Sequence, residues 1–102
     1  MRYQNRVVEL VRVRAGDLLP HPLNWRIHPE TQREAVSCVL AEVGIVRPLI
    51  ARRDSGGDLA LIDGHLRAGI DPDEILPVIV VDLDAEEGKK LLATLDSKSE
   101  FQ

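Results

Sequence analysis

Few backbones can accommodate the run Leu59-Ala60-Leu61-Ile62-Asp63-Gly64. Four apolar residues in succession, too few for a helix and closed by a turn dipeptide, read as a strand buried in a sheet and ending at its rim. Gly64 permits a sharp turn whose backbone N–H groups can approach a ligand closely. The following His65-Leu66-Arg67-Ala68 opens a helix. Its first amides and the positive end of its dipole favour a phosphate, and Arg67 adds a planar, permanently charged fork for phosphate oxygens. His65 and Asp63 bring proton chemistry or metal affinity to the same corner. A plainer reading stays open beside this one: Asp-Gly is a common turn, Asp63 can cap the next helix, and an arginine in a first helical turn is often only solvated.

A chain of 102 residues is expected to form a single domain around one core. The apolar content of 44% is rich in Val, Leu and Ile while aromatics reach only 3%, which predicts an aliphatic core packed on a sheet. The three aromatics, Tyr3, Trp25 and Phe101, are scattered and do not form a platform for stacking bases. No apolar run is long enough to span a bilayer, no secretory signal opens the chain, and Cys38 is the single cysteine. A cytoplasmic protein with no membrane partner and no internal disulfide is expected.

The net charge of −4 is unevenly spread, with ten arginines against eight acidic residues in 1–67 and three lysines against nine acidic residues in 68–102. Arg2, Arg6, Arg12 and Arg14 can form a basic strip, but the whole domain is too acidic for strong nonspecific DNA binding. The favoured reading of the strip is a solvated edge strand.

Val7 to Arg14 is predicted as a first strand, ended by Ala15-Gly16-Asp17. Pro20, Pro22 and Pro29 then hold Leu19 to Pro29 out of regular helix, in a polar loop carrying His21, Asn24, Arg26 and His28. A helix starts near Pro29 or Glu30 and stops at Gly44, its core face built from Ala35, Val36, Val39, Leu40 and Val43. Cys38 falls on the flank of that face as a semi-buried small hydrophobe. Ile45 to Arg52 is predicted as a second strand, turning at Asp54-Ser55-Gly56-Gly57 so that Leu59 to Ile62 return as its hairpin partner. A short helix follows the corner. Leu76 to Asp82 reads as a strand buried on both faces. Asp84 and Glu87 then form a capping box for a last helix whose inner face holds Gly88, Leu91, Leu92 and Leu95.

This order of elements, with Asn24-x-Arg26, Gly44-Ile45-Val46-Arg47-Pro48-Leu49 and Gly64-His65-Leu66-Arg67-Ala68, resembles the ParB/sulfiredoxin-like superfamily over residues 7–95. The resemblance implies an α+β fold, a small mixed sheet with flanking helices, and one ParB-like domain over 1–102. In partitioning ParB proteins the stretches matching Gly44–Leu49 and Gly64–Ala68 build a nucleotide-phosphate site. By that resemblance Gly64, His65 and Arg67 hold phosphate oxygens, Gly44, Arg47 and Pro48 belong to the same nucleotide- and phosphate-binding site, and Asn24 and Arg26 approach from the proline loop. Glu30, Asp63 and His65 are the implied catalytic candidates, Glu30 or Asp63 serving as base or metal-linked carboxylate.

The chain also departs from the family. It carries Leu95-Asp96-Ser97-Lys98-Ser99 where partitioning proteins close their site with Asn-x-x-Arg, which does not favour a CTP clamp. No helix-turn-helix follows, so recognition of a duplex site by this chain alone is not expected. Gly64 stands where sulfiredoxins need cysteine, which excludes sulfinic-acid reduction.

The favoured expectation is a nucleotide- or phosphate-binding domain in a DNA-maintenance, mobile-element or DNA-modification setting, with ATP, ADP or CTP as ligand and Mg2+ as a companion ion. Its alternatives are a metal-dependent ParB-like nuclease using Asp63, His65 and Glu30, a kinase-like phosphotransferase with Glu30 as base, and an inactive scaffold that meets a protein partner. Nothing in the sequence specifies an oligomeric state.

Overall fold

Strand order, more than strand count, decides where the Asp63–Arg67 corner lies. The computed structural model describes residues 2–20 and 30–96. Its elements run β1 (Val7–Arg14), a 3-10 turn (Ala15–Asp17), α1 (Glu30–Glu42), β2 (Leu49–Arg53), β3 (Leu59–Asp63), α2 (His65–Ala68), β4 (Ile75–Val81) and α3 (Ala85–Asp96). The four strands form one sheet in the order β1-β4-β2-β3. β4 pairs antiparallel with β1 and parallel with β2, and β2 and β3 form the antiparallel hairpin. The sheet is therefore mixed and the fold α+β, as the sequence implied.

The hairpin turns where its sequence predicts. Asp54 accepts hydrogen bonds from the Gly56 and Asp58 amides at 2.9 and 3.0 Å, the local side-chain-to-backbone bonding that favours aspartate in turns. β3 is buried along its whole length although it stands at an edge of the sheet. The segment after β1 explains this: Leu19 forms a parallel bridge to Ala60, its amide donating to the Leu59 carbonyl at 2.9 Å and its carbonyl accepting from the Leu61 amide at 2.7 Å. A covered edge leaves no unpaired ladder groups in the interior.

One face of the sheet carries the aliphatic core of Leu49, Ala51, Leu61, Leu76, Val78 and Val80, closed by Ala15 and Leu18. α3 packs on β3, where a Cβ on Gly88 would meet Arg52 Cδ at 3.1 Å and Ile62 Cδ1 at 3.6 Å. Its capping box forms as read: the Glu87 amide donates to Asp84 Oδ1 at 2.8 Å and the Asp84 amide to Glu87 Oε1 at 3.0 Å. Arg6 then reaches the same glutamate, Nη1 to Oε2 at 2.9 Å and Nη2 to Oε1 at 3.0 Å. This fork holds the Glu87 carboxyl down to about 2, with the Asp84 amide helping, and raises the Arg6 guanidinium above its usual range.

Four expectations change. The second strand begins at Leu49, not Ile45, because Gly44 leaves α1 with φ at +93° and Pro48 has no N–H to give a ladder. β4 spans Ile75–Val81 and alternates: Leu76, Val78 and Val80 are buried, while Pro77, Ile79 and Val81 are partly exposed. Of the apolar face predicted for α1, Val36 is 2% exposed but Val39 is 45% exposed and Val43 more so, since this helix meets α2 and Val39 lines an open pocket. Cys38, on the same loosely covered helix, is exposed.

Candidate anion-binding corner

The corner is built where β3 runs out. Gly64 sits at φ +104°, a left-handed conformation that L side chains rarely adopt. A Cβ there would lie 2.5 Å from Leu49 Cγ and 3.1 Å from Arg67 Nη2, so the turn presses against the start of β2 with no room for a side chain. From Gly64 the chain makes the single turn of α2, closed by bonds from the Ala68 amide to the Gly64 carbonyl at 2.9 Å and from the Gly69 amide to the His65 carbonyl at 3.0 Å. Arg33 of α1 reaches the Gly69 carbonyl at 3.3 Å and ties the two helices together.

Asp63 is 0% exposed and makes no side-chain cap on α2. It faces two arginines instead. Arg47 Nη2 lies 2.5 Å from Asp63 Oδ2, and Arg67 Nη2 lies 3.9 Å from the same oxygen. Arg67 also donates from Nη1 to the Arg47 carbonyl at 2.6 Å, which clamps the loop between α1 and β2 onto α2. The capping and solvated-arginine readings of Asp63 and Arg67 are thus set aside: both side chains are built into the interior, Arg67 with 9% of its side chain exposed. Burial pulls the Arg67 guanidinium below its usual pKa, Asp63 opposes that shift, and Arg47 adds to it. Arg47 differs in being half-exposed, at 52%. Among the described residues Asp63 Oδ1 and Arg67 Nε have no hydrogen-bond partner.

A pocket of about 270 Å³ opens beside this cluster, lined by Val36, Val39, Leu40, Gly44, Ile45, Val46, Arg47 and Arg67. Its wall is apolar except for the two arginines. A second hollow of about 340 Å³, bounded by Ser37, Leu40, Ile70, Asp71 and Glu74 among others, shares Arg67. Arg67 therefore stands at the junction of two concave surfaces.

Of the residues singled out in the sequence, Arg47, Gly64 and Arg67 meet around Asp63, Gly44 lines the adjoining pocket, Pro48 precedes β2 and His65 opens α2, partly buried. Glu30 is the first residue of α1, and its side chain lies outside the described residues, as do Asn24 and Arg26. Among the described residues no group of three or more His, Cys, Asp or Glu is placed to hold a metal ion, and no helix is long and apolar enough to cross a membrane. Sequence reasoning missed the pocket wall from Val36, Leu40, Ile45 and Val46, which was assigned to core and strand. The signal was present in Gly44 and Pro48, which together bar residues 45–47 from any regular element.

No family model matches the chain, and no curated protein matches it. Among solved structures, the C-terminally truncated chromosome-partitioning protein ParB from Caulobacter crescentus, complexed with CTP-gamma-S, is similar at a TM-score of 0.71 and 19% identity, over 90% of this chain and 54% of that one. The fold is ParB-like. A Pnob8-like ParB-N domain is similar at a TM-score of 0.68 and 19% identity, over 98% of this chain and 42% of its own. The present chain thus spans about half the length of these ParB structures or less. The ParB-like fold places the Gly44–Leu49 and Gly64–Ala68 stretches side by side, since β2 starts where the first ends and β3 delivers the second beside it.

Proposed function

We propose that this chain is a ParB-like nucleotide-binding domain and that the corner formed by Arg47, Gly64, His65 and Arg67 takes the phosphates. The observation that carries the reading is the convergence of Arg47 and Arg67, from separate segments, beside the Asp63–Gly64 turn and at the mouth of an apolar pocket. Guanidinium groups suit phosphate oxygens by charge and by fork geometry, and an apolar wall with a few convergent polar groups is the usual character of a small-molecule site. The similar ParB structure with CTP-gamma-S supports a nucleoside triphosphate as ligand, with CTP ahead of ATP or ADP.

The residues described do not make a dedicated metal cage. A Mg2+ ion would arrive with the phosphates, as this ion commonly does, keeping most of its ligands as water and phosphate oxygen. Asn24 and Arg26 are proposed to approach the same phosphates, and Glu30, Asp63 and His65 remain the candidates for any hydrolytic chemistry. The setting we infer is cytoplasmic DNA maintenance or DNA modification, in which contact with DNA falls to partner segments or chains. The nuclease and kinase readings have no observation of their own to favour them.

Thermal-shift measurements with CTP, ATP, ADP, GTP and inorganic phosphate, each with and without Mg2+, test the reading. Stabilisation by a triphosphate that disappears in Arg47→Ala is the expected result, since a ligand that binds only the native state raises stability in proportion to its occupancy. No stabilisation by any of them at millimolar concentration would overturn it.

A further inference from the structure

The cluster holds two cations and one carboxylate, and the carboxylate is the buried member. Asp63 has no access to water, and a buried carboxylate persists only when paired and hydrogen-bonded. Its short contact is to Arg47, the partner that is half in solvent, whereas Arg67, the buried partner, stops at 3.9 Å. The pairing is also incomplete, because Asp63 Oδ1 and Arg67 Nε are both buried without hydrogen-bond partners among the described residues. The two unsatisfied groups belong to side chains that already lie beside one another. A second arrangement is therefore available, in which Arg67 closes on Asp63 and Arg47 is released toward solvent.

We propose that Asp63 is an internal counter-anion that occupies Arg47 in the unliganded domain and is handed over to Arg67 when a polyphosphate binds. This rests on the phosphate reading above and adds its regulation. Arg47 is the arm that moves, because its side chain is half in solvent while that of Arg67 is nearly enclosed. Arg67 stays, holding the Arg47 carbonyl through Nη1 while its remaining donors turn to the carboxylate. Burial disfavours the charged form of Arg67, so a closer carboxylate relieves it. Asp63 thereby lowers the affinity of the corner for any anion and reserves it for ligands with enough negative charge to win Arg47 away.

The test compares wild type and Asp63→Asn for binding of inorganic tripolyphosphate and CTP by titration calorimetry at low and high salt. Neutralising the competitor is expected to tighten tripolyphosphate binding by about tenfold or more at low salt, with a smaller gain at high salt. A merely structural role for Asp63 predicts the opposite sign. Wild type binding while Asp63→Asn binds equally or more weakly would overturn the counter-anion role and leave the phosphate site standing. Binding by neither protein would overturn the phosphate reading and this inference with it. Binding by Asp63→Asn alone would overturn the handover, because the wild type would then have no liganded state in which to make it. Should Asp63→Asn lose its cooperative unfolding transition, the arginine side-chain 15N spectrum of the wild type supplies the answer. Tripolyphosphate must then shift the Nε resonances of both Arg47 and Arg67, and an unmoved Arg67 resonance would sink the exchange.

Discussion

Arg67 donates from Nη1 to the backbone carbonyl of Arg47 at 2.6 Å, so one arginine of the corner fixes the main chain that carries the other. This ties the geometry of the site to the stability of the domain. It also distinguishes the two guanidinium groups: Arg67 is a buried strut, and Arg47 is the exposed arm that the strut positions.

Replacing Arg67 by lysine keeps a positive charge but removes the fork that spans the Arg47 carbonyl and Asp63. The loss of a charge-assisted hydrogen bond in a mostly buried place costs about 1–3 kcal/mol. A lower thermal midpoint together with a reduced nucleotide-induced shift is expected. A variant with wild-type stability would show that the bond to the carbonyl does not hold the loop.

Gly64→Ala forces a side chain into a left-handed backbone position and onto Leu49, whose Cγ would be 2.5 Å away. Backbone strain and overpacking act together here and should destabilise the domain by about 2–4 kcal/mol. Urea unfolding measures this, and a loss below ~1 kcal/mol would mean that the turn can reshape. Gly44, also at positive φ but with nothing within 4 Å of a Cβ, should tolerate alanine at the smaller cost of backbone strain alone.

Glu87 titrates near 2 in the folded protein against an ordinary value near 4.5. Its depressed pKa contributes stability above the unfolded value, and that contribution fades as pH falls from about 4.5 toward 2. Thermal midpoints of wild type and Glu87→Gln should therefore differ at neutral pH and converge in acid. A gap of constant size down to pH 2 would count against the Arg6 fork as its source.

Two valines on α1 make a direct comparison. Val36 is buried and Val39 is half-exposed on the pocket wall. Val36→Ala should cost about 1–3 kcal/mol through lost burial and a cavity, while Val39→Ala should stay within about 0.5 kcal/mol. Equal costs would show that α1 is more fully packed than its contacts indicate. Val39→Ala is also expected to weaken nucleotide binding relative to phosphate binding, which calorimetry with CTP and tripolyphosphate resolves.

Much of this was legible in local pattern. The hairpin follows from two apolar runs around Asp54-Ser55-Gly56-Gly57, although its first strand begins at Leu49 and not at Ile45, and the capping box at Asp84 and Glu87 needs only residues three apart. Gly44 and Gly64 announce backbone conformations that other residues resist. Where local pattern misled, tertiary packing was the cause. Val39 and Val43 have the spacing of a core face, but α1 meets the single turn of α2, so Val39 falls on an open pocket wall and Val43 in solvent.

Element types, turn positions and the identity of the corner were decided by the chain itself, because periodicity, glycine and proline act over a few residues. Whom Asp63 pairs with was decided only in three dimensions. The carboxylate can cap a helix or bind an arginine equally well in an isolated peptide. Only the parallel pairing of β2 with β4 and the antiparallel pairing with β3 bring Arg47 across sixteen positions of chain to within 2.5 Å of it. Once the sheet had closed over Asp63, an ion pair was the arrangement that could offset the loss of water.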